Sequence, residues 1–82
     1  MSVETQTFRA QRIDLRERRQ RLDLACRNTL DVLRARLNPS LPVVEICEDQ
    51  AVDDMLRFAQ QVRELRDMDT RIKILSAQLG MD

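Results

Sequence analysis

At 82 residues, with 43% hydrophobic and 34% charged residues and no formal net charge, the chain has room for one small domain and is too apolar for a disordered tail. Zero net charge gives no signal for a nucleic-acid or membrane partner, and a single glycine, two prolines and two phenylalanines suit an all-β fold poorly. The expectation is an all-α chain: one domain over residues 1–82, an antiparallel two-helix hairpin with a coiled-coil-like seam.

The first residues, with Glu4 among polar neighbours, lack the basic start and apolar run of a signal peptide, and no stretch reaches the roughly 20 apolar residues of a membrane span. A cytoplasmic location with reduced thiols is expected. Helix one is predicted over about 5–37. Two seven-residue series run through it, Phe8, Leu15, Leu22 and Thr29 in one and Arg12, Arg19, Cys26 and Leu33 in the other, and Leu30 and Leu37 widen the stripe near its end.

A turn is predicted at 38–42. Pro39 discourages helix at Asn38, while Pro42 suits a first helical turn with Ser40 as its N-cap. Glu45, Glu48 and Asp49 then lie where the helix dipole favours negative charge. Residues 43–46 have two readings, the first turn of helix two or a short extended piece before a helix starting near Glu48.

Helix two is predicted over about 43–79. Ala51, Phe58, Leu65, Ile72 and Leu79 recur every seven residues, and Met55 and Val62 supply the alternate positions. Further on, Asp69 and Ser76 occupy those positions, so the apolar stripe is expected to rotate onto Met68 and Leu75. Gly80 follows as a left-handed cap.

With a turn centred near residue 40, Arg19 is expected to face Val62 and Arg12 to fall opposite Asp69. Either the two arginines lie at a frayed edge and extend their stems to water, or Arg12 and Asp69 form a partly shielded pair that sets the register. Residues 1–38 hold nine Arg against five acids and residues 39–62 one Arg against five acids, an asymmetry that a hairpin makes internally complementary. Ile13, Leu24, Leu56 and Ile74 fall off the seam. With the broad C-terminal surface, they imply more apolar area than two helices cover. The expected interface comprises Leu65, Met68, Ile72, Leu75 and Leu79 with Phe8, Ile13 and Leu15. It would be covered by self-association into a four-helix bundle or by docking on a helical partner.

Signals for chemistry are sparse. Without histidine the commonest general base and metal ligand is missing, and Cys26 and Cys47 are too few for a closed zinc site. Hairpin pairing offsets the two cysteines by roughly 12 Å, beyond disulfide reach, so Cys26 reads as core and Cys47 as packing near the turn. The acids Glu45, Glu48, Asp49, Asp53 and Asp54 lack the central glycine of a calcium loop. No catalytic, cofactor or metal site is therefore expected, and the chain reads as a non-enzymatic, helical protein–protein interaction module, an adaptor or chaperone-like subunit acting as a homodimer or with a helical partner. The competing reading is a small dimeric nucleic-acid binder using Arg9, Arg12, Arg16 and Arg19 on helix one, a stripe diluted by Asp14, Glu17 and Asp23.

The segment Pro39-Ser40-Leu41-Pro42 resembles the proline-bracketed turn of type III secretion needle subunits, which, like their co-chaperones, are similar-sized helical hairpins. That resemblance implies a needle-type subunit or co-chaperone. The ending Leu79-Gly80-Met81-Asp82 departs from the Asn-Phe-Arg-type tail of several needle proteins.

Overall fold

A computed structural model describes residues 3–80. The chain is a two-helix antiparallel hairpin: α1 spans Val3–Arg36 and α2 spans Glu48–Gln78, with a 3-10 turn at Val43–Glu45 between them and no strand among the described residues. The helices pack on each other along their length and give a rod with extents of 62 × 18 × 14 Å.

Burial on α1 follows one alternating three-four series. Phe8, Arg12, Leu15, Arg19, Leu22, Cys26, Thr29, Leu33 and Arg36 are all buried or half-buried, so both series expected on this helix face α2. Thr29 is buried without penalty because its hydroxyl donates to the Ala25 carbonyl at 3.0 Å.

On α2 the seam is Ala51, Asp54, Phe58, Gln61, Leu65, Met68, Ile72, Leu75 and Leu79, again in strict three-four spacing. This corrects the expected stripe. The series does not rotate: Asp54 and Gln61, not Met55 and Val62, take the alternate positions in the first half. A stripe moving by one residue must turn about 100°, far more than the ~20° per heptad by which a straight helix drifts. Met55 is accordingly exposed and Val62 only half-buried.

The connection is longer than the expected 38–42. Leu37 still donates to the Leu33 carbonyl at 3.0 Å, and residues 38–41 then close a β-turn with Leu41 N–H donating to the Asn38 carbonyl at 3.0 Å. Pro39 holds the second position, where its fixed φ fits, and Ser40 N–H donates to Asn38 Oδ1 at 2.9 Å. Ser40 is thus a turn residue, and the N-cap of α2 is Cys47, with no side-chain hydrogen bond. Helix two starts at Glu48 instead of about 43. Val43, Val44 and Ile46 are β-branched and lose rotamer freedom in a helix. The chain makes one 3-10 turn and then extends at Ile46 (φ −71°, ψ 128°). That extension half-buries Ile46 beside Leu33, Leu37 and Ala51 and leaves Val43 and Val44 exposed at the tip.

At the far end Gly80 has φ +69°, the left-handed conformation that favours glycine, and its N–H donates to the Ala77 carbonyl at 3.1 Å.

Candidate functional site

Two half-buried ion pairs and one polar contact tie the seams together. The Arg36 guanidinium donates to Asp54 Oδ2 and to Gln50 Oε1, binding the last turn of α1 to the first turns of α2. The Arg19 guanidinium donates to both carboxylate oxygens of Asp69. Arg12 Nε donates to Ser76 Oγ at 2.8 Å.

The expected pair Arg12–Asp69 is therefore not formed. Both arginines find their partner one heptad, about seven residues, further from the turn than a bend at residue 40 predicts. Two effects add to give that shift. The connection occupies residues 37–47, moving its centre away from residue 40. Side chains also lean toward the N-terminus of their own helix, so long arginines on α1 and their partners on α2 reach one another from staggered backbones.

The hydrogen bond between Arg19 and Asp69, followed by their Coulomb attraction, holds the Asp69 carboxyl below its ordinary range and raises the Arg19 guanidinium further. A depressed folded-state carboxyl contributes stability above its unfolded pKa and loses it as pH falls through the folded value. Asp69 and Arg19 are both well solvated, so this contribution is screened and small. Mild acid above the carboxylate range is expected to leave the melting midpoint unchanged, with the loss beginning as pH falls into that range and continuing below it; a midpoint that moves between pH 7 and pH 5.5 would contradict it.

Gln61 occupies a seam position with its Oε1 buried and without a hydrogen-bond partner among the described residues. A buried unsatisfied amide oxygen costs about 1–3 kcal/mol. Gln61→Leu is expected to stabilise the hairpin by about 1–2 kcal/mol, read as a higher urea midpoint at unchanged slope; a lower midpoint would contradict this.

The expected interface residues Phe8, Leu15, Leu65, Met68, Ile72, Leu75 and Leu79 all lie in the intramolecular seam, with Leu75 buried and the others half-buried. Ile13, the remaining expected interface residue, is 57% exposed on the open half of α1. Part of the open apolar surface borders these residues, beside Leu15, Ile74 and Leu75 on one side of the open half and Ile13 and Leu79 on the other. At the turn end, Leu33, Leu37, Ile46, Ala51, Val52 and Met55 line a shallow groove whose wall is almost wholly apolar. Val52 is 57% and Met55 53% exposed, and Leu37 is similar. Sequence reasoning missed this site because it placed Met55 inside the seam; the signal was the apolar run through Val52 and Met55, one residue displaced from the buried Ala51 and Asp54.

The arginine stripe is divided by the same geometry. Arg12 and Arg19 are turned inward and half-buried on Ser76 and Asp69, and only Arg9 and Arg16 are exposed. The cysteines are both free, Cys26 buried and Cys47 exposed, so Cys47 is not the packing residue expected. No group of three metal-ligating side chains occurs among the described residues, and none of their helices is long and apolar enough to cross a membrane. Comparisons with protein-family models, with curated proteins and with solved structures found no match to this chain.

Proposed function

We propose that the chain is a non-catalytic helical interaction module, an assembly or adaptor subunit whose turn-end apolar flank is completed by another helical surface. One observation carries this reading: a contiguous apolar groove with Val52 and Met55 more than half exposed, on a molecule whose buried apolar residues are only Cys26, Leu33, Ala51 and Leu75 among those described.

The overall dimensions support it. The accessible surface is 6513 Å², whereas a compact monomer of 9.6 kDa exposes roughly 5,100 Å². The radius of gyration of 18.2 Å compares with about 12 Å for a compact domain of this length. Two helices bury one face each, and a third or fourth helix is the ordinary way to cover a second face.

The purified chain is expected to run in light scattering as a particle larger than one chain, or to melt without cooperativity when it is alone. A single chain with a sharp, cooperative thermal transition would contradict the reading.

A further inference from the structure

We propose that the surface covering the turn-end groove is a second copy of this chain, docked side by side with both turns at the same end, so that α1 of each copy lies against α2 of the other. The proposal rests on the interaction-module reading and adds the identity and orientation of the partner.

Area comes first. The surface in excess of a compact monomer is about 1,400 Å² per chain. Stable homodimers remove about 1,000 Å² or more from each subunit, so one copy supplies a cover of the required size.

Charge then selects the orientation. On the α1 side of the groove, Arg34 follows Leu33 directly and forms no ion pair among the described residues. On the α2 side, Glu48 lines the groove and Asp49 follows it, both likewise without an ion pair among those residues. The flank therefore has one basic and one acidic rim. A two-fold axis along the rod brings α1 of one copy against α2 of its partner, setting Arg34 towards Glu48 at the same end. A two-fold axis across the rod sets α1 on α1 and α2 on α2, so like charges meet, which disfavours that docking.

Level agrees with charge. Nearer the open end, the same side of the rod carries Arg16, Arg19, Asp23 and Asp69 and is polar. Two copies aligned turn to turn match apolar with apolar and polar with polar. Full overlap in the opposite sense would instead set the groove at the open end, on Arg9, Arg12, Ile13 and Leu79, and bring Arg34 towards the arginines of the partner's α1. In the aligned arrangement every neighbouring pair of helices is antiparallel, as in an up-down four-helix bundle.

The test uses the full chain with Cys47→Ser and Thr70→Cys, which places a spin label at an exposed position of the open half and leaves the buried Cys26 unlabelled. The expected result is a mass of twice 9.6 kDa and a label–label distance below about 35 Å. Val52→Lys with Met55→Lys should weaken the dimer at least tenfold. Ile74→Lys, at a comparably exposed apolar residue on the opposite flank, should not. A dimer with labels further apart than about 35 Å, as with the roughly 45 Å that an axis across the rod near Met55 imposes, overturns the orientation and with it the proposal. So does a dimer indifferent to the Val52/Met55 pair. Largely unfolded single chains overturn the second copy as partner while leaving the interaction-module reading standing, and cooperatively folded single chains overturn both.

Discussion

Leu33→Ala is expected to lower the stability of the hairpin by about 2–3 kcal/mol, among the largest effects of any single truncation. Leu33 is 7% exposed and sits where the turn closes on the seam, against Leu37, Ile46 and Ala51. Truncating it removes apolar contact and leaves a void that a helix anchored on both sides by Ile46 and Ala51 refills only in part. A core this small supplies no more than about 3–5 kcal/mol, so the variant should lose most of its cooperative transition. Circular dichroism at 222 nm against temperature reads the change, as a midpoint lower by roughly 10–20 °C. Val44→Ala, at a residue 94% exposed at the tip, is the control and should stay within about 0.5 kcal/mol. Equal losses at both positions would mean that the turn-end packing is not what holds the hairpin closed.

Arg36→Met is expected to destabilise by about 1–3 kcal/mol for a different reason. Asp54 is only 9% exposed, and the Arg36 guanidinium is its charge partner and also binds Gln50. Removing the arginine leaves a shielded carboxylate without compensation. Because the arginine side chain is itself one-third exposed, water recovers part of that loss, which places the effect below the 3–5 kcal/mol of a fully buried pair. The double variant Arg36→Met with Asp54→Leu should return to wild-type stability or exceed it, since both desolvation costs disappear. A urea double-mutant cycle measures this as a coupling of about 1–2 kcal/mol. Additive losses would show that the pair is a surface contact.

That pair also explains which parts of the architecture were legible from residues alone. Two helices, their antiparallel packing and the α1 stripe follow from periodicity and from prolines at 39 and 42, all local signals. The α2 stripe was misplaced because Met55 and Val62 are more apolar than Asp54 and Gln61, and hydrophobicity alone prefers the wrong positions. Asp54 is tolerated in the seam only because Arg36, far away in sequence, reaches it. The register erred by one heptad for a related reason. A slip of one heptad keeps seam against seam, so apolar periodicity cannot distinguish the two alignments. Charge can. The observed alignment satisfies Asp69 with Arg19 and Asp54 with Arg36, whereas the alignment slipped by one heptad places Arg19 against Val62.

Most residues of the expected interface also serve the seam between the two helices. Residues such as Leu65, Met68 and Ile72 were expected to exceed what the hairpin could cover, but α1 supplies Phe8, Leu15 and Leu22 to the same seam. Ile13, Leu24, Leu56 and Ile74 are exposed, as their off-seam positions imply, and the observed seam adds Leu37, Val52 and Met55 to them. The surplus of apolar surface and part of its location were thus visible from pattern, and the turn-end groove required the three-dimensional pairing.

The account depends on that turn-end surface being covered in the working molecule. Its most direct test is the thermal midpoint of the unmodified chain at two concentrations a hundredfold apart. If folding is coupled to association, the midpoint rises with concentration, as mass action requires. A sharp midpoint identical at both concentrations, with the mass of one chain, would show that the hairpin stands alone.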